Sequence, residues 1–145
     1  MHRSDPGLML GYWHLPEETA AAFRGDWFLT GDLARFDADG YLWYEGRADD
    51  QMNAFGYRVA PEEVERALAE HPDVAEVAVV ETRAGEVSIV TAFVVPRADA
   101  TPDPAGLEAL AADRLADYKR PRRYVFVEEL PRTGSGKVLR RALRA

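Results

Sequence analysis

Apolar positions along this chain change character near residue 50, and the second part carries the clearer pattern. Residues 86–95 are apolar at nearly every position, as expected of a strand buried on both faces, and 74–82 form a second long strand joined to it at Arg83-Ala84-Gly85. Val64, Ala67 and Leu68 fall on one face of a helix. Pro61 suits the first turn of that helix, Glu62 and Glu63 favour its positive end, and His71-Pro72 stops it. After a linker-like stretch at 96–104, Asp103 can cap another helix whose face is Leu107, Leu110, Ala111 and Leu115. A short hairpin is predicted for 51–55 and 57–59 around Gly56, a strand for 123–127 and a final helix for 138–145. Strands alternating with helices around one small sheet give the class α+β.

The first forty or so residues read differently. Pro6-Gly7 and Leu15-Pro16 punctuate short segments, with a short helix around 17–23. Trp27-Phe28-Leu29 leads into the turn Thr30-Gly31-Asp32, a brief strand at 33–36, the turn Asp37-Ala38-Asp39-Gly40 and a strand at 41–44. Asp-x-Asp-Gly hints at a calcium loop, but Arg35 stands at the first ligand position, so a hairpin turn is the better reading. These aromatic strands leave open edges unless something covers them.

Composition narrows the classes. The 145 residues allow one domain, or one small domain with an appendage. There is no cysteine, hence no disulfide and no zinc–thiolate site, and no apolar run approaches the roughly 20 residues of a membrane span. A cytoplasmic protein without a membrane role is expected, and no metal site is apparent. The formal charge of -7 argues against nucleic acid. Yet Lys119, Arg120, Arg122, Arg123, Arg132, Lys137, Arg140, Arg141 and Arg144 crowd the last stretch, against Glu128 and Glu129 alone. Such a patch is either a solvated basic face or a local field for a nucleotide or coenzyme phosphate.

The most pointed candidate chemistry lies in Pro131-Arg132-Thr133-Gly134-Ser135-Gly136-Lys137-Val138. It is not a Walker A loop: Pro131 replaces the first glycine and Val138 the magnesium-binding hydroxyl. Two other segments stand out, at 27–32 and at 46–58. Taken singly each has a plain structural reading. Asp32 is a turn aspartate, Arg47 and Asp49 form a surface ion pair, and Lys137 is a solvated loop lysine. Together they fit one chemistry. A carboxylate such as Asp32 can accept both hydroxyls of a ribose, and Arg47 can bond to the same sugar or to a phosphate. A mobile lysine can offset charge developing at an α-phosphate, and Gly56 permits close backbone approach by a thin ligand.

In order along the chain, G-D-W-F-L-T-G-D-L-A at 25–34, G-R-A-D-D-Q-M-N-A-F-G-Y-R-V-A-P-E-E-V-E at 46–65 and P-R-T-G-S-G-K-V-L-R-R at 131–141 resemble the C-terminal region of the adenylate-forming superfamily. That superfamily includes acyl-CoA synthetases, aryl-CoA ligases, luciferases and the adenylation domains of peptide synthetases. The resemblance covers essentially the whole chain. It implies residues 1–48 as the tail of a larger N-terminal domain and 49–145 as the small C-terminal domain, with a hinge at Asp49 about which domains alternate. Asp32 would bind the AMP ribose with help from Arg47. Gly56, with Phe55 and Tyr57, would line the pantetheine path, and Arg58 would face phosphate. Lys137 would be the catalytic lysine of adenylation, while Lys119, Arg120 and Arg123 are candidates for coenzyme A phosphates.

The implied activity is that of an ATP-dependent acyl-CoA ligase acting on a carboxylic acid, ATP and coenzyme A. Mg²⁺ would be held mainly by the large adenylating domain, which is the implied partner, and the isolated chain is expected to be inactive. Many members carry a lysine where this chain has Asn53, so no role is borrowed from that lysine. The alternative is a free-standing interaction module that docks on, or regulates, a separate adenylating domain. The exposed strands of 1–48 also leave room for self-association.

Overall fold

The computed structural model describes residues 1–54 and 56–144. The expectation placed on Phe55 and the last residue of the expected final helix, Ala145, lie outside the described residues. The chain divides into two compact units, Met1–Asp49 and Asp50–Ala145.

The first unit strings together α1 (Pro16–Ala21), the antiparallel pair β1 (Phe23–Arg24) and β2 (Trp27–Phe28), and the hairpin of β3 (Asp32–Phe36) with β4 (Leu42–Arg47). Asp37 makes the hairpin turn. One carboxylate oxygen accepts the N–H groups of Asp39 and Tyr41 at 3.0 and 2.9 Å, and the other accepts the Trp43 indole N–H at 2.6 Å. The indole bond, chiefly, holds the Asp37 carboxyl below its ordinary range. The Asp-x-Asp-Gly sequence is therefore a turn in which the acceptors of Asp37 are already occupied. Among the described residues of this unit, Gly46 alone is buried. Phe36 and Tyr41 remain 71% and 70% exposed, with Leu42, Trp43 and Tyr44 beside them also in the open.

The second unit contains every buried hydrophobic side chain of the described residues. Its elements are β5 (Met52–Ala54), β6 (Tyr57–Val59), α2 (Pro61–Leu68), β7 (Val74–Ala84), β8 (Val87–Pro96), α3 (Pro104–Arg114) and β9 (Arg123–Phe126). Pro61 and Pro104 open the two helices, and the Asp103 carboxylate accepts the Ala105 N–H at 3.1 Å as an N-cap. β8 lies between β7, antiparallel, and β9, parallel. This central place explains why β8 is apolar at nearly every position, and Ile89, Val90, Thr91 and Ala92 are all buried.

Strand alternation divides the sheet into two packed faces. On one, Val79, Val90, Ala92 and Val94 meet α2, α3 and the β5–β6 hairpin through Val64, Leu68, Leu107 and Met52. On the other, Ala78 and Val80 meet Leu130 and Leu143 of the C-terminal segment. Tyr124 packs on the helix side, where its hydroxyl is buried without a hydrogen-bond partner among the described residues, and burial pushes its pKa up to about 12.

Two expectations need correction. The strands do not share one sheet: β5–β6 is a separate pair, and a side chain, not a further strand, takes an N–H on the outer edge of β7. The Glu65 carboxylate takes the Val79 N–H at 2.8 Å, while Glu81 on the same strand takes the Asn53 N–H at 2.7 Å. The final helix is only a 3₁₀ turn, Arg140–Leu143. Val138 is held extended by its bridge to Arg132, which leaves too few residues to nucleate an α-helix.

Candidate functional site

In the first unit the structure brings together Asp32, Arg47 and Asp49. Asp32 and Arg47 face each other at the end of the β3–β4 ladder. The Arg47 guanidinium donates through Nη1 to the Thr30 carbonyl at 2.6 Å and to Asp32 Oδ1 at 3.3 Å. Through Nε and Nη2 it forks onto the Asp49 carboxylate at 3.0 and 3.3 Å. The bond to Asp49 is the main cause that raises the Arg47 pKa above its ordinary value. Gly31 makes the arrangement possible. Its φ is +76°, and a Cβ there would lie 2.8 Å from Arg47 Nη2. Both Asp32 and Arg47 stay partly open to solvent, so a polar ligand can still reach them.

In the second unit the candidates occupy two places. Gly56 lies in the turn of the β5–β6 hairpin at φ +85° with no atom within 4 Å of a built Cβ. Beside it Tyr57 is exposed and stacks on Tyr118, ring centroids 4.5 Å apart, while Arg58 is exposed opposite Asn53. This hairpin belongs to the helix-covered face of the sheet, where Tyr118 also packs. Of the basic candidates nearby, Lys119 is bonded to the Glu63 carboxylate at 2.6 and 2.7 Å, which raises its pKa. Arg120 is tied to the carbonyls of Leu115 and Ala112 at 3.0 and 3.2 Å. Both spend their donors within the fold.

Lys137 lies in the layer on the opposite face. Its loop is more ordered than its two glycines suggest. Thr133 N–H donates to the Lys137 carbonyl at 2.8 Å, Gly136 N–H to the Thr133 carbonyl at 2.9 Å, and Leu139 N–H to the Pro131 carbonyl at 2.7 Å. The Thr133 hydroxyl accepts the Lys137 N–H at 3.2 Å and also bonds to the Ser135 hydroxyl at 2.9 Å. Gly136, at φ +83°, supplies the one left-handed turn. Arg132 braces the incoming limb through the Gly136 carbonyl and the Glu76 carboxylate. The Lys137 side chain projects from this braced hairpin into solvent, with no ion pair among the described residues.

A model of the AMP-binding enzyme C-terminal domain matches residues 63–137. The chain belongs to this family. It is 46% identical over 142 residues to a 2-succinylbenzoate–CoA ligase of Geobacillus kaustophilus, covering 96% of this chain and 29% of that protein. It is 45% identical over 141 residues to a long-chain-fatty-acid–CoA ligase of Bacillus subtilis, covering 95% and 25%. The crystal structure of ATP-bound MatB from Rhodopseudomonas palustris superposes with a TM-score of 0.86 at 35% identity, over 99% of this chain and 31% of that one. The chain thus spans between a quarter and a third of the length of these relatives. The α+β architecture expected from sequence is that of the C-terminal domains of adenylate-forming enzymes.

One group escaped the sequence reading. Glu65, Arg140 and Asp50 form a half-enclosed cluster in which Arg140 Nη2 meets both Glu65 oxygens at 3.0 and 2.9 Å and Nη1 meets Asp50 at 3.3 Å. Burial pushes the Glu65 carboxyl above the ordinary carboxylate range, against the pull of the Val79 N–H and Arg140. Burial also works against the Arg140 charge, but the Glu65 and Asp50 carboxylates outweigh it and hold that pKa above its ordinary value. The partners lie 75 and 90 positions apart, so no local spacing rule points to them.

Proposed function

We propose that the chain is the C-terminal part of an ATP-dependent acyl-CoA ligase that adenylates a carboxylic acid and then passes the acyl group to coenzyme A. The observation that carries this reading is that the Lys137 hairpin packs through Val138 against one face of a sheet whose other face carries the β5–β6 hairpin that turns at Gly56. One docked orientation cannot present both faces to one reaction centre. Two half-reactions served by one turning domain can use each in turn, with Asp49, at the junction of the two units, as the hinge.

In the first half-reaction the Lys137 ammonium offsets the negative charge that builds on the α-phosphate as the substrate carboxylate attacks it and pyrophosphate departs. Asp32 accepts the ribose hydroxyls of the nucleotide, assisted by Arg47. In the second, the Gly56 backbone gives the pantetheine arm close passage beside Tyr57, the thiol attacks the acyl carbonyl, and AMP leaves. Arg58 faces phosphate in one of the two states. No group of three or more His, Asp or Glu side chains able to hold a metal occurs among the described residues. The Mg²⁺ that accompanies ATP is assigned mainly to the large domain, and no step here runs through it.

The exposed aromatic strands of the first unit are read as surface that the large adenylating domain covers, and in the separated chain they offer a surface for self-association. No helix among the described residues is long and apolar enough to cross a membrane, and a cytoplasmic setting fits the proposed reaction. Given ATP, Mg²⁺ and a panel of carboxylic acids, the isolated chain is expected to form no acyl adenylate. Joined behind an adenylating large domain it is expected to do so, and Lys137→Ala should then slow adenylation by roughly 10²–10³-fold. Acyl-CoA formation by the isolated chain, or full adenylation by Lys137→Ala, would overturn the reading.

A further inference from the structure

The outgoing limb of the Lys137 hairpin leads within three residues to Arg140, whose side chain is only 19% exposed. From the C-terminal layer this side chain reaches round the outer edge of β7 to Glu65 on α2, in the helix layer, and to Asp50, the first residue of the second unit. Glu65 is itself fixed, because the oxygen that takes Arg140 at 3.0 Å also takes the edge N–H of Val79. Asp50 is held on its other oxygen by Arg144 at 3.4 Å. Arg140 therefore ties together both packed layers and the residue that follows Asp49. Its Nε and Glu62 Oε2 are both buried without a hydrogen-bond partner among the described residues, so the cluster retains donor and acceptor capacity.

Resting on the ligase reading above, we propose that Arg140 is a positioning residue for Lys137. It fixes the outgoing limb of the lysine hairpin to the hinge-proximal end of the domain, as Arg132 fixes the incoming limb to β7. An ammonium on a flexible four-carbon stem has no rigidity of its own, so its reach to a phosphate depends on where the hairpin stands. A residue that only supported the fold would affect both half-reactions alike. A residue that places Lys137 affects adenylation alone, because Lys137 takes no part in thioester formation.

The test uses an active polypeptide in which a large adenylating domain precedes this chain. Adenylation is followed by pyrophosphate release, and thioester formation is started separately from preformed acyl adenylate. Arg140→Gln is expected to lower kcat of adenylation by roughly 10²-fold with KM for ATP unchanged, while leaving the thioester step intact. Arg140→Lys, which keeps the charge but lacks the planar fork that spans Glu65 and Asp50, should fall between. If the glutamine variant does not fold, the lysine variant carries the same comparison. An equal loss in both half-reactions, or none in either, overturns the proposal. Lys137→Ala run alongside separates the two readings. If it leaves adenylation intact, the role of Lys137 fails and that of Arg140 with it. If it abolishes adenylation while Arg140→Gln does not, only the role of Arg140 fails.

Discussion

The two units of this chain are both rich in apolar residues and differ in what they do with them. Asp50–Ala145 buries its own in two clusters, one on each face of a three-stranded sheet, so its elements hold one another. Met1–Asp49 buries one glycine among its described residues and leaves Trp13, Trp27, Phe36, Tyr41 and Trp43 exposed. Its strands occur only as isolated pairs, and two-stranded pairs are marginal in water without a covering layer. Apolar composition is therefore no measure of self-sufficiency; what counts is whether the apolar faces find each other. The same contrast divides the candidate chemistry. Asp32, Arg47 and Asp49 lie in the unit without a core, whereas Lys137 and Gly56 are mounted on the unit that has one.

Matched substitutions in the two units sharpen the contrast, beginning with the largest effect. Leu68, fully buried between α2 and the sheet, should cost about 2–5 kcal/mol when changed to alanine, read as a lower midpoint in urea unfolding of the whole chain. Phe36→Ala, at an exposed position in the first unit, should leave that midpoint within about 0.5 kcal/mol. Equal effects would mean that the first unit shares in the cooperative fold.

A smaller effect is expected at Tyr124. Its folded pKa of about 12 lies above the unfolded value of roughly 10, so the stabilisation that comes from keeping the phenol neutral is complete below pH 10 and is lost as pH rises through 12. Tyr124→Phe should leave neutral-pH stability nearly unchanged, since the buried hydroxyl has no hydrogen-bond partner among the described residues to lose, and should flatten the alkaline limb between about pH 10 and 12. An unchanged alkaline limb would place the pH dependence elsewhere.

Local signals were legible in sequence wherever one residue decides the outcome. Pro61 opens a helix, Asp103 caps one, Gly56 turns a hairpin, and the nearly continuous apolar run of β8 marks a strand buried on both faces. Pairings across long separations were not. The final helix fails because Val138 pairs with Arg132 while Leu143 packs against the sheet, and neither tertiary contact is visible in the helical periodicity of 138–145. The expectation of a single sheet overlooked Glu65, whose carboxylate occupies an edge N–H that another strand would need. At the candidate site, the ordered motifs point to Asp32, Arg47 and Lys137, but the fork of Arg47 onto Asp49 and the bracing of the Lys137 hairpin depend on register and on partners far along the chain. The two glycines beside Lys137 suggested mobility, whereas the loop closes on itself through Thr133 and the freedom is left to the lysine side chain.

Residue-resolved amide hydrogen exchange on the whole chain tests most directly the claim that only residues 50–144 sustain their own fold. The expected result is strong protection, near the global unfolding free energy, across β7 and β8, with the amides of β1 to β4 exchanging close to unprotected rates. Protection of β3 and β4 equal to that of β7 and β8 would contradict the account, because the first unit would then need no larger domain to cover it.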